Sequence, residues 1–219
     1  MTDSLYDIDC LVLGPFQTNC YIVRPAAASA CWVVDPGPGG DRSAEPRALL
    51  KRLKSGKLEV ERILITHGHG DHIAGAGSLK RAHPQAVLTV PEGDAAMLVD
   101  AGLNLSADFG MPFMAPSADE RVRPGDRLEL GGGAWEVLDT SGHTPGGVSY
   151  YCPLSGVVIV GDALFAGSIG RCDLPGGDGE RLIANIRRHL MNLPDDTRVL
   201  CGHGPSTTIG AERRDNPYI

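Results

Sequence analysis

The chain has 219 residues, 42% hydrophobic and 21% charged, with a formal net charge of −7. That length holds enough apolar material for one sizeable buried core, and the acidic balance disfavours nucleic acid as a partner, because a polyanion is repelled overall. No apolar run approaches the roughly 20 residues that a bilayer crossing needs, and the N-terminus lacks the basic start and apolar stretch of a secretory signal.

Aromatic residues make up 5%, so the core must rest on Val, Leu, Ile and Ala, while 29 Gly and 16 Pro imply many turns and shaped loops. The six cysteines, at 10, 20, 31, 152, 172 and 201, form no CxxC pair. They read as reduced thiols of a cytoplasmic protein.

Apolar runs at 8–13, 20–24 and 30–35 predict consecutive strands, the last closing at Asp35-Pro-Gly-Pro. Residues 43–54 carry Ala, Leu and basic residues at helical spacing, with Ser43 as the expected N-cap. A strand at 62–66 runs into a His-rich loop, followed by a helix over 72–82, a strand at 87–90 and a short helix at 92–101. Residues 102–124 show no period, which marks a functional loop or an unrecognised element. Strands follow near 127–130, 134–140, 147–152 and 156–161, then a helix at 180–191, a strand at 197–201 and a short polar end. Strands grouped in two halves, each with helices, predict an α/β architecture of two packed sheets with helices outside, forming a single domain over 1–219.

The sharpest local signal is His67-Gly68-His69-Gly70-Asp71-His72, three imidazoles and a carboxylate within six residues. Alternate residues of an extended segment point the same way, so His67 and His69 can share one cation. Asp71 and His72, at the turn into the next helix, can address a second, although Asp71 alone would also serve as a helix N-cap. Three later segments repeat one arrangement of apolar strand, then Gly, then a ligand-type residue: they end at His143, Asp162 and His203. Strand ends of a layered α/β protein collect along one edge, where loops converge into a site. The two remaining histidines fit ordinary roles, His83 at a helix end before Pro84 and His189 on a helix surface.

This series of HxHxDH, then His, then Asp, then His resembles the metallo-β-lactamase superfamily. More narrowly, the segments Gln17-Thr-Asn-Cys-Tyr21, Gly161-Asp-Ala-Leu-Phe165, Gly167-Ser-Ile-Gly-Arg-Cys-Asp-Leu174 and Gly202-His-Gly-Pro-Ser-Thr-Thr-Ile-Gly-Ala-Glu-Arg-Arg-Asp-Asn-Pro217 resemble the short glyoxalase II-like (hydroxyacylglutathione hydrolase-like) members. The resemblance implies an αββα sandwich. It assigns His67, His69 and His143 to a first metal ion, Asp71, His72 and His203 to a second, and Asp162 to a position bridging both. Asp71 and Asp162 are thereby the candidate catalytic carboxylates, and Phe165, Arg171 and Cys172 the candidate substrate contacts. Arg171 could equally form a loop salt bridge, and Cys172, where relatives often have Thr, could be a packing residue. Asp35 is a candidate for orienting a ligand histidine, or simply a turn-starting residue before Pro36. Tyr218 reads as a C-terminal anchor. Ile219 is the last residue, 16 positions after His203, so the C-terminal helical domain of full-length glyoxalase II is expected to be absent.

Nitrogen and oxygen donors suit two divalent ions, Zn(II) first, with Fe(II) or Mn(II) compatible. Two such ions roughly 3.5–4 Å apart would share a bridging water and lower its pKa, giving a hydroxide that attacks a carbonyl. The expected substrate is a small-molecule thioester, S-2-hydroxyacylglutathione or a relative, acted on by a monomer or homodimer. A lactonase or other ester hydrolase is an alternative, as is a persulfide dioxygenase-like enzyme with a single iron held by His67, His143 and Asp162.

Overall fold

In the strand Ala30–Val34 (β3), side chains alternate between two environments: Cys31 and Val33 enter one apolar cluster, Trp32 and Val34 another. Val157–Gly161 (β10) does the same, with Val157 and Ile159 facing one way and Val158 and Val160 the other. Strands apolar on both faces must be covered on both faces. The computed structural model, which describes residues 5–39, 43 and 45–219, provides that cover.

The first sheet follows chain order: Tyr6–Leu13 (β1), Thr18–Pro25 (β2), β3, Glu59–Leu64 (β4), Val87–Pro91 (β5) and Glu120–Val122 (β6). Its first three strands pair antiparallel and the next three join in parallel. The second sheet comprises Arg127–Leu130 (β7), Gly133–Asp139 (β8), Val148–Cys152 (β9), β10, Arg198–Cys201 (β13) and Thr207–Thr208 (β14), with β10 and β13 parallel. Leu164–Phe165 (β11) and Ser168–Ile169 (β12) form a separate hairpin. Trp32, Trp135 and Tyr150 fill the space between the sheets. Arg47–Gly56 (α1) and Ala76–Ala82 (α3) cover the outer face of the first sheet through Leu49, Leu53 and Leu79. Gly179–Asn185 (α4) and Ile209–Asp215 (α5) cover the second through Leu182 and Ile209. The result is the expected αββα sandwich. Among the described residues no helix is long and apolar enough to cross a membrane.

Several local expectations change. Ser43 does not cap α1; the helix starts at Arg47 behind Pro46, because a residue preceding proline is pushed out of the α region. The helix expected at 72–82 is two pieces, Gly70–Ile73 (α2) and α3, since the Gly75 N–H bonds to the Pro36 carbonyl at 2.7 Å. The 92–101 helix is a 3-10 helix over Glu92–Val99. The 180–191 helix is present as α4 plus a π turn, closed by Met191 N–H on the Ile186 carbonyl at 3.0 Å. The polar end contains α5, capped by the Thr208 hydroxyl. The aperiodic 102–124 stretch consists of turns to residue 110, an extended run and the edge strand β6.

Candidate metal centre

The His-rich loop leaves β4 at the edge where β8, β10 and β13 also end, which brings the four segments together. Each local sequence meets a geometric demand. Gly161 lies at φ +53°, and a Cβ there would strike the Thr66 hydroxyl. A Cβ on Gly202 would fall on Asp162 Oδ1. At Asp162 and His203 the preceding glycine is thus the space into which a neighbouring site residue fits, whereas Gly142, before His143, at φ +128°, leaves room for the backbone of Leu182 in α4.

Three overlapping groups could hold cations, each with its donor atoms within 4.8 Å of one another: His67, His69 and His143; His67, His72 and Asp162; Asp71, His72 and His203. Asp162 lies between the outer two. Its Oδ1 is 3.4 Å from His72 Nε2, and its Oδ2 is 3.6 Å from His143 Nε2 and 3.4 Å from His203 Nε2. Asp71 Oδ2 is 3.3 Å from His203 Nε2 and accepts the Thr18 hydroxyl at 2.9 Å. Asp71 is therefore not a helix cap; residue 69 occupies that position for α2, and the carboxylate faces the cluster.

The outward nitrogens fix which ring atom faces inward. The His143 Nδ1–H donates to the Arg171 carbonyl at 2.7 Å, which leaves the Nε2 lone pair free. The Thr66 hydroxyl donates to Asp35 Oδ2 at 2.7 Å and so accepts from His67 Nδ1 at 3.0 Å. The His72 Nδ1–H donates to the same Asp35 oxygen at 3.0 Å. Of the six buried side-chain polar atoms that lack a partner among the described residues, four are here: Nε2 of His67, His69 and His143, and Oδ1 of Asp162. Buried polar atoms are rarely orphaned without an ion or water to bind, so the donor set fits divalent cations.

Charge separates the cluster into two halves. Burial and neighbouring imidazoles hold His67 well below its ordinary range, and burial with His143 pulls His69 down to about 3. Both are neutral, the form that ligates metal. Burial opposes the charging of His72, but the carboxylates of Asp71, Asp162 and Asp35 outweigh it and push its pKa well up. Burial is likewise overcome at His203, which Asp162 and Asp71 raise to about 10. The same contacts outweigh burial at Asp71 and Asp162 and keep both carboxyls below the usual range.

Beside the cluster opens a cleft of about 320 Å³, walled by Phe16, Leu105, Phe109, Met111, Phe113 and Leu174. Arg171 lines it, with its guanidinium bound to Asp173 through two 2.8 Å contacts. The other two expected substrate contacts do not line it. Phe165 is half-buried, its ring 6.3 Å from that of His203. Cys172 joins the apolar cluster beneath α4, and burial pushes its thiol pKa up. His83 and His189 lie outside every metal-capable group among the described residues, and all six cysteines are free. The sequence reading missed Asp94. This fully buried carboxylate accepts from Gly68 N–H at 2.9 Å, the Thr144 hydroxyl at 2.7 Å and Gly146 N–H at 2.7 Å. It ties the loop carrying His67 and His69 to the loop carrying His143. An acidic residue in the first turn of a helix has many commoner uses, so no local signal marked it.

Comparisons with known proteins agree with this geometry. Hydroxyacylglutathione hydrolase GloC of Haemophilus influenzae is 34% identical over 215 residues, spanning 97% of this chain and 98% of its own length. The crystal structure of the BLEG-1 B3 metallo-beta-lactamase superposes with a TM-score of 0.89 at 36% identity, covering 97% of this chain and 99% of that one. TTHA1623, solved in a di-iron-bound form, superposes with a TM-score of 0.84 at 35% identity, covering 96% and 100%. Residues 13–203 match the family profile described as the metallo-beta-lactamase superfamily, and the chain belongs to that superfamily.

Proposed function

We propose that the protein is a metal-dependent thioester hydrolase of glyoxalase II type that holds two divalent cations, zinc or iron, and cleaves S-2-hydroxyacylglutathione or a related small thioester. The observation that carries this reading is the make-up of the cleft. Outside the His/Asp cluster, Arg171 is the only ionisable side chain among its described lining residues, and it is a cation already bound to Asp173. Apart from the cluster's own side chains, no acid among the described lining residues stands ready to protonate a leaving amine. A thiolate needs none, since it leaves near its own pKa of about 8.5.

His67, His69 and His143 would hold one cation and Asp71, His72 and His203 the other, with Asp162 placed between the two groups. When bound, the cations supply a water acidified towards neutrality and positive charge facing the substrate carbonyl. The protein's own contribution is orientation: Asp35, Thr66 and the Arg171 carbonyl lock the imidazoles with Nε2 inward. The apolar wall of Phe16, Leu105, Phe109, Met111, Phe113 and Leu174 offers the substrate a non-polar surface beside the cluster. Hydrolysis forms a C–O bond from water to the acyl carbon and breaks the C–S bond, and the water's protons end on the carboxylic acid and the thiol. The GloC relative carries the activity in its name, and TTHA1623 binds two irons.

The test is metal-reconstituted protein assayed on S-lactoylglutathione beside other thioesters, lactones and a chromogenic β-lactam, with metal content measured in parallel. Two ions per chain and thioester turnover are expected. Failure on every thioester would overturn the reading, and one iron per chain would point to the dioxygenase-like alternative.

A further inference from the structure

The outer wall of the cleft is built by a segment whose side chains take no part in the cluster. Residues 101–110 fold as successive turns on a buried polar scaffold. Asn104, fully buried, donates to the Met97 and Phe113 carbonyls at 3.0 and 2.9 Å and accepts the Ser106 N–H at 3.0 Å. Its own carbonyl accepts the Gly70 N–H at 2.8 Å, so the wall is fastened directly to the His-rich loop. Leu105, held at φ +64°, lines the cleft from this frame. A loop so thoroughly hydrogen-bonded is a preformed surface.

At the mouth, Phe109 from this loop meets Phe16 from the β1–β2 turn edge to face, with centroids 5.3 Å apart and planes at 74°. Both rings remain open to solvent, Phe16 by 37% and Phe109 by 53%. Two aromatic rings brought together from distant parts of the chain, yet left half-wet beside a reactive centre, retain apolar area that a ligand can cover. The charge pattern agrees. Glutathione carries two carboxylates, and outside the His/Asp cluster the one cationic side chain among the described lining residues, Arg171, is already paired with Asp173.

Resting on the thioesterase reading, we infer that the preferred substrate is a thioester of an apolar acyl group with an uncharged thiol, seated against the exposed surface of the Phe16–Phe109 pair, and not a glutathione thioester. The bonds made and broken are those of the hydrolysis above.

The experiment takes the full, metal-loaded chain and measures kcat/KM on N-acetylcysteamine thioesters from acetyl through butyryl to hexanoyl, beside S-lactoylglutathione. The expected result is a rise of roughly four-fold per added methylene, the gain from burying one in an apolar site, with the hexanoyl ester exceeding S-lactoylglutathione. Phe109→Ala should raise KM for the hexanoyl ester about ten-fold and flatten the length dependence, while Phe109→Leu keeps most of it. A preference for S-lactoylglutathione, or rates indifferent to chain length, would overturn the inference and leave the thioesterase standing. Absence of turnover on every thioester would remove both.

Discussion

Asp35 Oδ2 stands 3.0 Å from His72 Nδ1, and the backbone of Asp35 is held at φ +52° to put it there. That left-handed conformation is unfavourable for a side-chain-bearing residue, and three hydrogen bonds, to His72 and to the N–H and hydroxyl of Thr66, hold it in place. One carboxylate thereby orients both His67, through Thr66, and His72. Asp35→Asn leaves the backbone content, because Asn tolerates positive φ, but turns one acceptor into a donor facing donors. A 10–100-fold loss in metal affinity or activity is expected, read by competition with a chromogenic chelator; unchanged affinity would remove Asp35 from the orienting role.

Asp162 is within 3.6 Å of imidazole nitrogens on both sides of the cluster. Asp162→Ala should abolish turnover and lower the metal content below that of the parent protein, measured by elemental analysis. Normal turnover in this variant would sink the two-cation account.

Asp94 joins the two loops that carry His67, His69 and His143. An Asn in its place can satisfy only part of three donated hydrogen bonds and leaves a buried donor unpaired. Asp94→Asn should cost about 1–3 kcal/mol of stability and weaken the cation held by His67, His69 and His143 more than the other. Thermal unfolding with stepwise metal titration measures both; equal weakening of the two sites would contradict the staple.

The metal-free protein should be most stable near pH 6.5. His67 and His69 bind protons more weakly folded than unfolded, so as pH falls below their ordinary 6.5 the unfolded chain takes up protons that they refuse, and stability drops. His72 and His203 have the opposite sign: their stabilisation is complete below 6.5 and is lost as pH rises towards about 10 at His203. The depressed carboxyls of Asp71 and Asp162 contribute above 3.8 and lose that contribution as pH falls further. Melting of chelator-treated protein against pH checks this, a monotonic profile being the contrary result. Metal must displace the protons on His72 and His203, so affinity should rise with pH.

Much of the fold was legible because strands apolar on both faces alternate between two clusters, as β3 and β10 do. Two of the misplaced helix boundaries have different causes. Pro46, and the Pro36 carbonyl that captures Gly75, act through conformational limits or distant partners that override helical spacing. The edge strand β6 was hidden because its three residues exist as a strand only by pairing with β5.

The string from His67 to His72 and the strand-glycine pattern before His143, Asp162 and His203 were determined by sequence alone, because short spacings dictate which donors can face one way. Only the tertiary structure decided that Asp71 faces the cluster, that Asp35 orients and does not merely start a turn, that Cys172 packs away from the cleft, and that Asp94 ties two loops. Each of these depends on hydrogen bonds or packing between segments far apart in the chain, contacts that come into being only when the two sheets close on each other.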